Sequence, residues 1–147
     1  MRNSREKERE GEKEKEGKGE METEPDDPLM RYPFYVKALE FYDRVMEDTD
    51  RRIADERWRV IVRQLVRSAG SISANIEEGY GRGTSREFAH RLKIARGEAQ
   101  ESRGWYRRAK KFLPAELIIQ RRQEASEIIA LLTANINTLE RKSGRQS

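Results

Sequence analysis

The densest chemical signal in this 147-residue sequence is a run of basic side chains at helical spacing between Arg82 and Lys111. Phe88, Leu92, Ala95, Ala99, Ser102, Tyr106, Ala109 and Leu113 step alternately by four and three, as the a and d positions of a helix seam do. On that register Arg86, Lys93, Arg96, Gln100, Arg103, Arg107 and Lys110 fall at b and e positions, and six of these seven are basic. Arg82 and Lys111 stand near the two ends of the row. Cations in such a row suit a phosphate backbone, whose charge they neutralise without reading base sequence. A solvated helix face with the same charges is the alternative.

Other candidates carry weaker chemistry. Glu87-Phe88-Ala89-His90 has the Glu-x-x-His spacing of di-iron bundles, but those sites need two such pairs facing inward. This chain has one His, at an outward f position, so neither a metal, a cofactor nor acid-base catalysis is expected. Gly79-Tyr80-Gly81-Arg82-Gly83 precedes a helix start, where amides and the dipole can hold an anion. It lacks the Lys of a P-loop, and a tight interhelical turn requires glycines in any case. Ser71 and Asn75 lie one turn apart near that turn; a partly buried Asn75 pairing across helices would set register, and a ligand contact is the alternative. Trp105 and Phe112 share g, which widens the apolar face toward the core or a subunit interface, with base stacking the rival reading. Gly97 and Gly104 share f. Each costs about 1 kcal/mol relative to Ala in a helix interior, so two on one face suggest close approach by another backbone, most simply a neighbouring subunit; drift on an exposed face is the alternative.

These residues need helices to position them, and four are legible. Phe34, Ala38, Phe41, Val45 and Tyr35, Leu39, Tyr42, Met46 form adjacent stripes of a wide-faced helix from Phe34 to about Glu47, with Pro33 at its first turn. A polar connection, Glu47 to Asp55, follows. The second helix carries Trp58, Val62, Leu65, Ala69, Ile72 and Ile76, and Gly79 stands where a C-terminal cap belongs, with Gly81 and Gly83 breaking any continuation. Thr84 and Glu87 have capping-box spacing, which starts the third helix near Ser85. Pro114 closes it and opens the fourth, whose stripe is Ile118, Ala125, Ile129, Leu132, Ile136 and Leu139, with Ser143 to Ser147 expected to fray. The economical fold is all-α: an antiparallel, up-and-down four-helix bundle.

Composition bounds the rest. Residues 1–28 contain almost no apolar side chain and read as a disordered charged tail ahead of a bundle domain at 29–147; a start at Met21 or Met30 is another account of them. Of 31 Lys+Arg and 27 Asp+Glu, the tail holds 7 and 11, leaving 24 against 16 for the domain, which is therefore more basic than the overall +4 implies. Such a domain favours polyanions or acidic protein surfaces. The absence of Cys excludes disulfides, thiolate metal sites and Cys nucleophiles. No apolar run approaches the roughly 20 residues of a membrane span, and no signal-type core is present, so the expected compartment is the cytoplasm.

Ser71-Ile-Ser-Ala-Asn75-Ile-Glu-Glu-Gly79-Tyr-Gly81-Arg82, followed by Glu87-Phe88 and Ile94-Ala95-Arg96-Gly97, resembles a bacterial four-helix-bundle family. It includes proteins encoded in intervening sequences of 23S ribosomal RNA, formerly labelled S23 ribosomal proteins, and accessory variability determinants of diversity-generating retroelements. The resemblance runs from about Pro33 to Leu139. Glu98 stands where the family often has Ser, and Arg103 where a second acidic residue often follows Glu101. The resemblance implies a non-enzymatic homopentamer, whose accessory members bind nucleic acid and a reverse transcriptase. The expected function is thus a homo-oligomeric bundle binding RNA or DNA through the third-helix stripe, accessory to a nucleic-acid enzyme. A protein-interaction scaffold, with the stripe paired to an acidic partner or subunit, is the alternative.

Overall fold

The structure, a computed structural model, describes residues 26–146, with side chains described to Gly144. The expected tail therefore lies, for residues 1–25, outside the described residues. Asp27 accepts a hydrogen bond from the Leu29 amide at 2.9 Å and starts a 3-10 turn, Pro28–Arg31. Leu29 is the first buried side chain.

Two of the helix starts carry a side-chain cap for their free amides, and the other two stand at or just after a proline. Pro33 opens α1 (Pro33–Thr49), where its missing N–H costs nothing. Asp55 caps α2 (Glu56–Tyr80) by accepting from the Arg57 amide at 2.9 Å. Thr84 caps α3 (Ser85–Arg108) by accepting from the Glu87 amide at 3.2 Å, as the capping-box spacing predicts. The fourth helix, α4 (Ala115–Gln146), follows Pro114, and it continues through Gln146 rather than fraying from Ser143. Short connections make consecutive helices antiparallel. α1 packs on α2 and α4, and α3 on α2 and α4, which closes a four-membered ring with its most extensive packing around α3. No strand occurs among the described residues.

The seam reading locates most of the core. All eight a and d residues of the third seam are buried, as are Phe34, Ala38, Phe41 and Val45 of α1; α3 itself ends at Arg108 rather than at Pro114, so Ala109 and Leu113 fill the core from the turn that follows it. Of the second α1 stripe Tyr35 is buried in the core, whereas Leu39 and Tyr42 only flank it, half-buried, and Met46 is exposed. On α2 Ile61 is buried where Val62 was expected, and on α4 Ile128 replaces Ile129; Val62 and Ile129 pack half-buried beside them.

The turn between α2 and α3 also departs from expectation. Gly79 is not a C-terminal cap: it lies inside α2, buried, with Gly81 as the capping residue. A Cβ on Gly79 would fall 2.6 Å from Arg91 Cβ and 3.1 Å from the Phe88 ring, so glycine lets α2 and α3 approach at this end. Midway along the same pair, the fully buried Ser68 and Ser102 hydroxyls bond each other at 2.8 Å. The left-handed turn residue is Gly83, at φ +85°.

The largest correction concerns Asp48. The stretch from Glu47 to Asp55 reads as a polar connection, yet α1 extends to Thr49 and Asp48 is 4% exposed. Its carboxylate accepts from the Tyr106 hydroxyl at 2.6 Å and from Arg121 Nε and Nη2 at 2.8 and 3.2 Å. Arg121 also donates to Glu124 at 3.2 Å, and Arg44 lies 3.4 Å from the same Glu124 oxygen. Burial disfavours the Arg121 charge, but the hydrogen bonds and charges of Asp48 and Glu124 outweigh it and hold the guanidinium above its usual value. Burial first, and the bond to Asp48 second, push the Tyr106 hydroxyl far up, so it stays protonated and donates.

This network ties α1, α3 and α4 together through charges that need each other. Asp48→Leu or Arg121→Met alone is expected to cost about 3–5 kcal/mol, because the second leaves the Asp48 charge buried and unpaired and the first leaves the buried Arg121 with Glu124 alone. Both changes combined with Tyr106→Phe should recover most of that loss in urea unfolding. Additive losses would contradict the coupling.

Candidate nucleic-acid interface

Helix α3 presents two unlike edges. Toward α2 its charges are balanced: Arg67 pairs with Glu101 and, at 3.4 Å, with Glu98. Hydrogen bonding to Arg67 lowers the Glu101 pKa, whereas burial raises that of Glu98. At the end of this edge Glu78 accepts from Arg82 at 2.8 Å and Arg91 at 2.9 Å, and the Arg82 bond is the main cause of its lowered pKa. Asn75 donates to the Ser71 carbonyl at 2.7 Å and accepts from Arg91 at 3.4 Å, which links α2 to α3 beside the turn.

Toward α4 the same helix is basic and little compensated. Arg96 donates to the Thr133 hydroxyl and Arg103 to the Ser126 hydroxyl, each at 3.2 Å, so neutral groups orient both guanidiniums along the α3–α4 groove. From α4, Arg122 donates to the Arg103 carbonyl at 2.7 Å. Burial first, then the charges of Arg107 and Arg103, lower the Arg122 pKa. Among the described residues, Arg86, Arg96, Arg103, Arg107 and Arg122 form no ion pair. Lys93 is paired with Glu140. From Arg86 to Arg107 the row extends roughly 30 Å along the helix.

The remaining sequence candidates separate. Arg82 and Arg86 line one depression with His90 at the α2–α3 end, although Arg82 shares its charge with Glu78. Lys110 and Lys111 are exposed beyond the last turn of α3. Glu87 and His90 face solvent, and among the described residues no three His, Asp or Glu side chains are grouped to hold a metal. At the turn, Thr84 and Glu87 already supply the acceptor and the negative charge that an anion would bring to the α3 start. Trp105 is half-buried, with Arg108 stacked 4.8 Å from its ring centre. Phe112 packs on Trp58 with ring centres 5.5 Å apart. Gly104 leaves room for Arg108 to cross to Trp105, since a Cβ there would lie 2.9 Å from the guanidinium; the space over Gly97 is open within 4 Å.

The 23S rRNA-intervening sequence protein family matches residues 31–134, the whole helical ring up to the last turns of α4. The chain belongs to that family. A solved structure from Bacteroides thetaiotaomicron, a protein of unknown function from the S23 ribosomal protein family, is 28% identical with a TM-score of 0.64; the match covers 70% of this chain and 97% of that one. No curated protein matches the chain. These likenesses point to no enzymatic family. Arg122 is the groove residue that the third-helix register could not reach, because it comes from α4; its signal is its place one turn before Ser126 on the half-buried flank of that helix.

The two glycine environments of this family member give opposite expectations. Gly79→Ala should lower stability by about 1–3 kcal/mol, because the added methyl meets packed side chains. Gly97→Ala should raise it by about 1 kcal/mol through helix propensity alone. Urea unfolding of both variants in dilute, dissociated protein is the check; a loss at Gly97 that appears only where the chain self-associates would mean that a neighbouring subunit fills the space above it.

Proposed function

We propose that this protein is a non-enzymatic, homo-oligomeric bundle that binds RNA or DNA along the α3–α4 groove. The observation that carries the reading is the asymmetry of α3: carboxylates balance the edge toward α2, whereas on the other edge Arg96, Arg103 and Arg122 bond to hydroxyls and a carbonyl and Arg107 forms no ion pair among the described residues. Like charges held together cost stability unless an anion joins them. Arginine forks suit phosphate oxygens, and a row on one helix follows a backbone rather than base edges. Arg82, Arg86, Lys93, Lys110 and Lys111 extend the track.

Self-association uses the exposed face of α3 around Gly97, with Gly104 and Trp105 at its margin, and a homopentamer is the assembly that the family resemblance implies. Within it the protein serves as an accessory to a nucleic-acid enzyme such as a reverse transcriptase, in the cytoplasm. Among the described residues no helix is long and apolar enough to cross a membrane.

Binding to RNA and DNA duplexes across a salt series tests the reading. With four to six phosphates neutralised, log affinity should fall against log salt with a slope of about −4 to −5 and little sequence preference. Charge reversal at Arg96, Arg103 and Arg107 should weaken binding at least tenfold and flatten that slope. Unchanged binding, or capture of an acidic protein partner that survives nuclease treatment without any nucleic-acid affinity, would replace this reading with the scaffold one.

A further inference from the structure

A second cluster of unpaired arginines lies where α1 passes into α2. Arg51, Arg52, Arg59 and Arg63 line one open depression over the half-buried Ile53 and Val62, and no carboxylate lines it. Among the described residues none of the four side chains has an ion pair or hydrogen bond. The neighbouring Asp55 is occupied: Arg57 binds both its oxygens at 3.1 and 2.7 Å, and these bonds hold its pKa at about 2. The connection itself is pinned. The buried Trp58 indole donates to the Arg51 carbonyl at 3.3 Å, and the Ile53 amide bonds the same oxygen at 3.2 Å. Arg59 and Arg63 stand four apart on α2, so their charges repel along one face.

We infer that this corner is a second polyanion-binding surface, holding the phosphate backbone of a separate nucleic-acid segment. The identity of the ligand rests on the reading of the α3–α4 groove; the surface does not. Four guanidiniums without lysine or carboxylate favour the planar, paired acceptors of phosphate. In the ring of helices, the α1–α2 edge lies across the bundle from the α3–α4 edge. Phe112 packs on Trp58, so the Lys110–Lys111 end of the track adjoins the corner, whereas Arg96 and Arg103 bond to α4 on the far edge; with a separate segment on each surface, each protomer joins two.

The test uses the full chain at low salt and a labelled single-stranded oligonucleotide of roughly ten nucleotides, within the length that one single-strand site covers. Calorimetric titration should give two oligonucleotides per protomer. Arg59→Glu with Arg63→Glu should reduce this to one, the charge-reversed groove should also leave one, and the combined variant none, with helix content unchanged throughout. One oligonucleotide per protomer, unaffected by the corner changes, would overturn the inference and leave the groove reading standing. Loss through the corner changes alone, with the reversed groove neutral, would uphold the corner and overturn the groove. Poly-glutamate occupying the corner while the oligonucleotide does not would overturn the nucleic-acid assignment.

Discussion

The ion pair between Asp48 and Arg121, closed by the Tyr106 hydroxyl, is the constraint on which the arrangement of this bundle depends. Helix α1 has the least extensive packing of the four. Its apolar stripe buries Phe34 to Val45, but apolar contact is non-directional and tolerates sliding by a turn. A carboxylate that is 4% exposed does not tolerate it, because displacement leaves it without its donors in a medium that cannot replace them. One residue near the end of α1 thereby fixes that helix against α3 and α4 together.

A different device sets the central pair. Where α2 meets α3, Ser68, Ala69, Ala95, Ala99 and Ser102 keep the buried contact thin, and Gly79 removes the last methyl that would hold the helix ends apart. Helices drawn this close leave little room for long side chains between them, so the charged residues of α3 fall to its flanks. Acids that match Arg67 and Arg91 occupy one flank. On the other, Ser126 and Thr133 of α4 meet the arginines with hydroxyls, which orient the guanidiniums without cancelling their charge. The charge asymmetry of α3 thus follows from which side chains α4 offers.

Much of this was legible in the sequence, and for stated reasons. Steps of four and three locate the six core residues of the α3 seam, and two more in the turn after it, because a packed helix seam imposes that period, and the Thr84–Glu87 spacing marks the α3 start because the first amides of a helix need acceptors. Asp48 and Arg121 were hidden by their chemistry. Both lie on the seams, three residues after Val45 and after Ile118, but charged types read as surface until a partner is known, and that partner comes from another helix. Gly79 misleads for a related reason: at a helix end glycine signals a cap, and only the neighbouring helix shows that it serves close packing. The family motif identified the ring of helices, yet the charge asymmetry of α3 appears only when α4 is placed beside it.

The most direct measurement of the central claim is the set of arginine side-chain Nε–Hε resonances, followed by NMR as a duplex oligonucleotide is added at low salt. Signals of Arg96, Arg103, Arg107 and Arg122 should shift together and saturate, while those of Arg44 and Arg67, already committed to carboxylates, stay in place. Shifts spread evenly over all six, or confined to Arg44 and Arg67, would contradict a phosphate track in the α3–α4 groove.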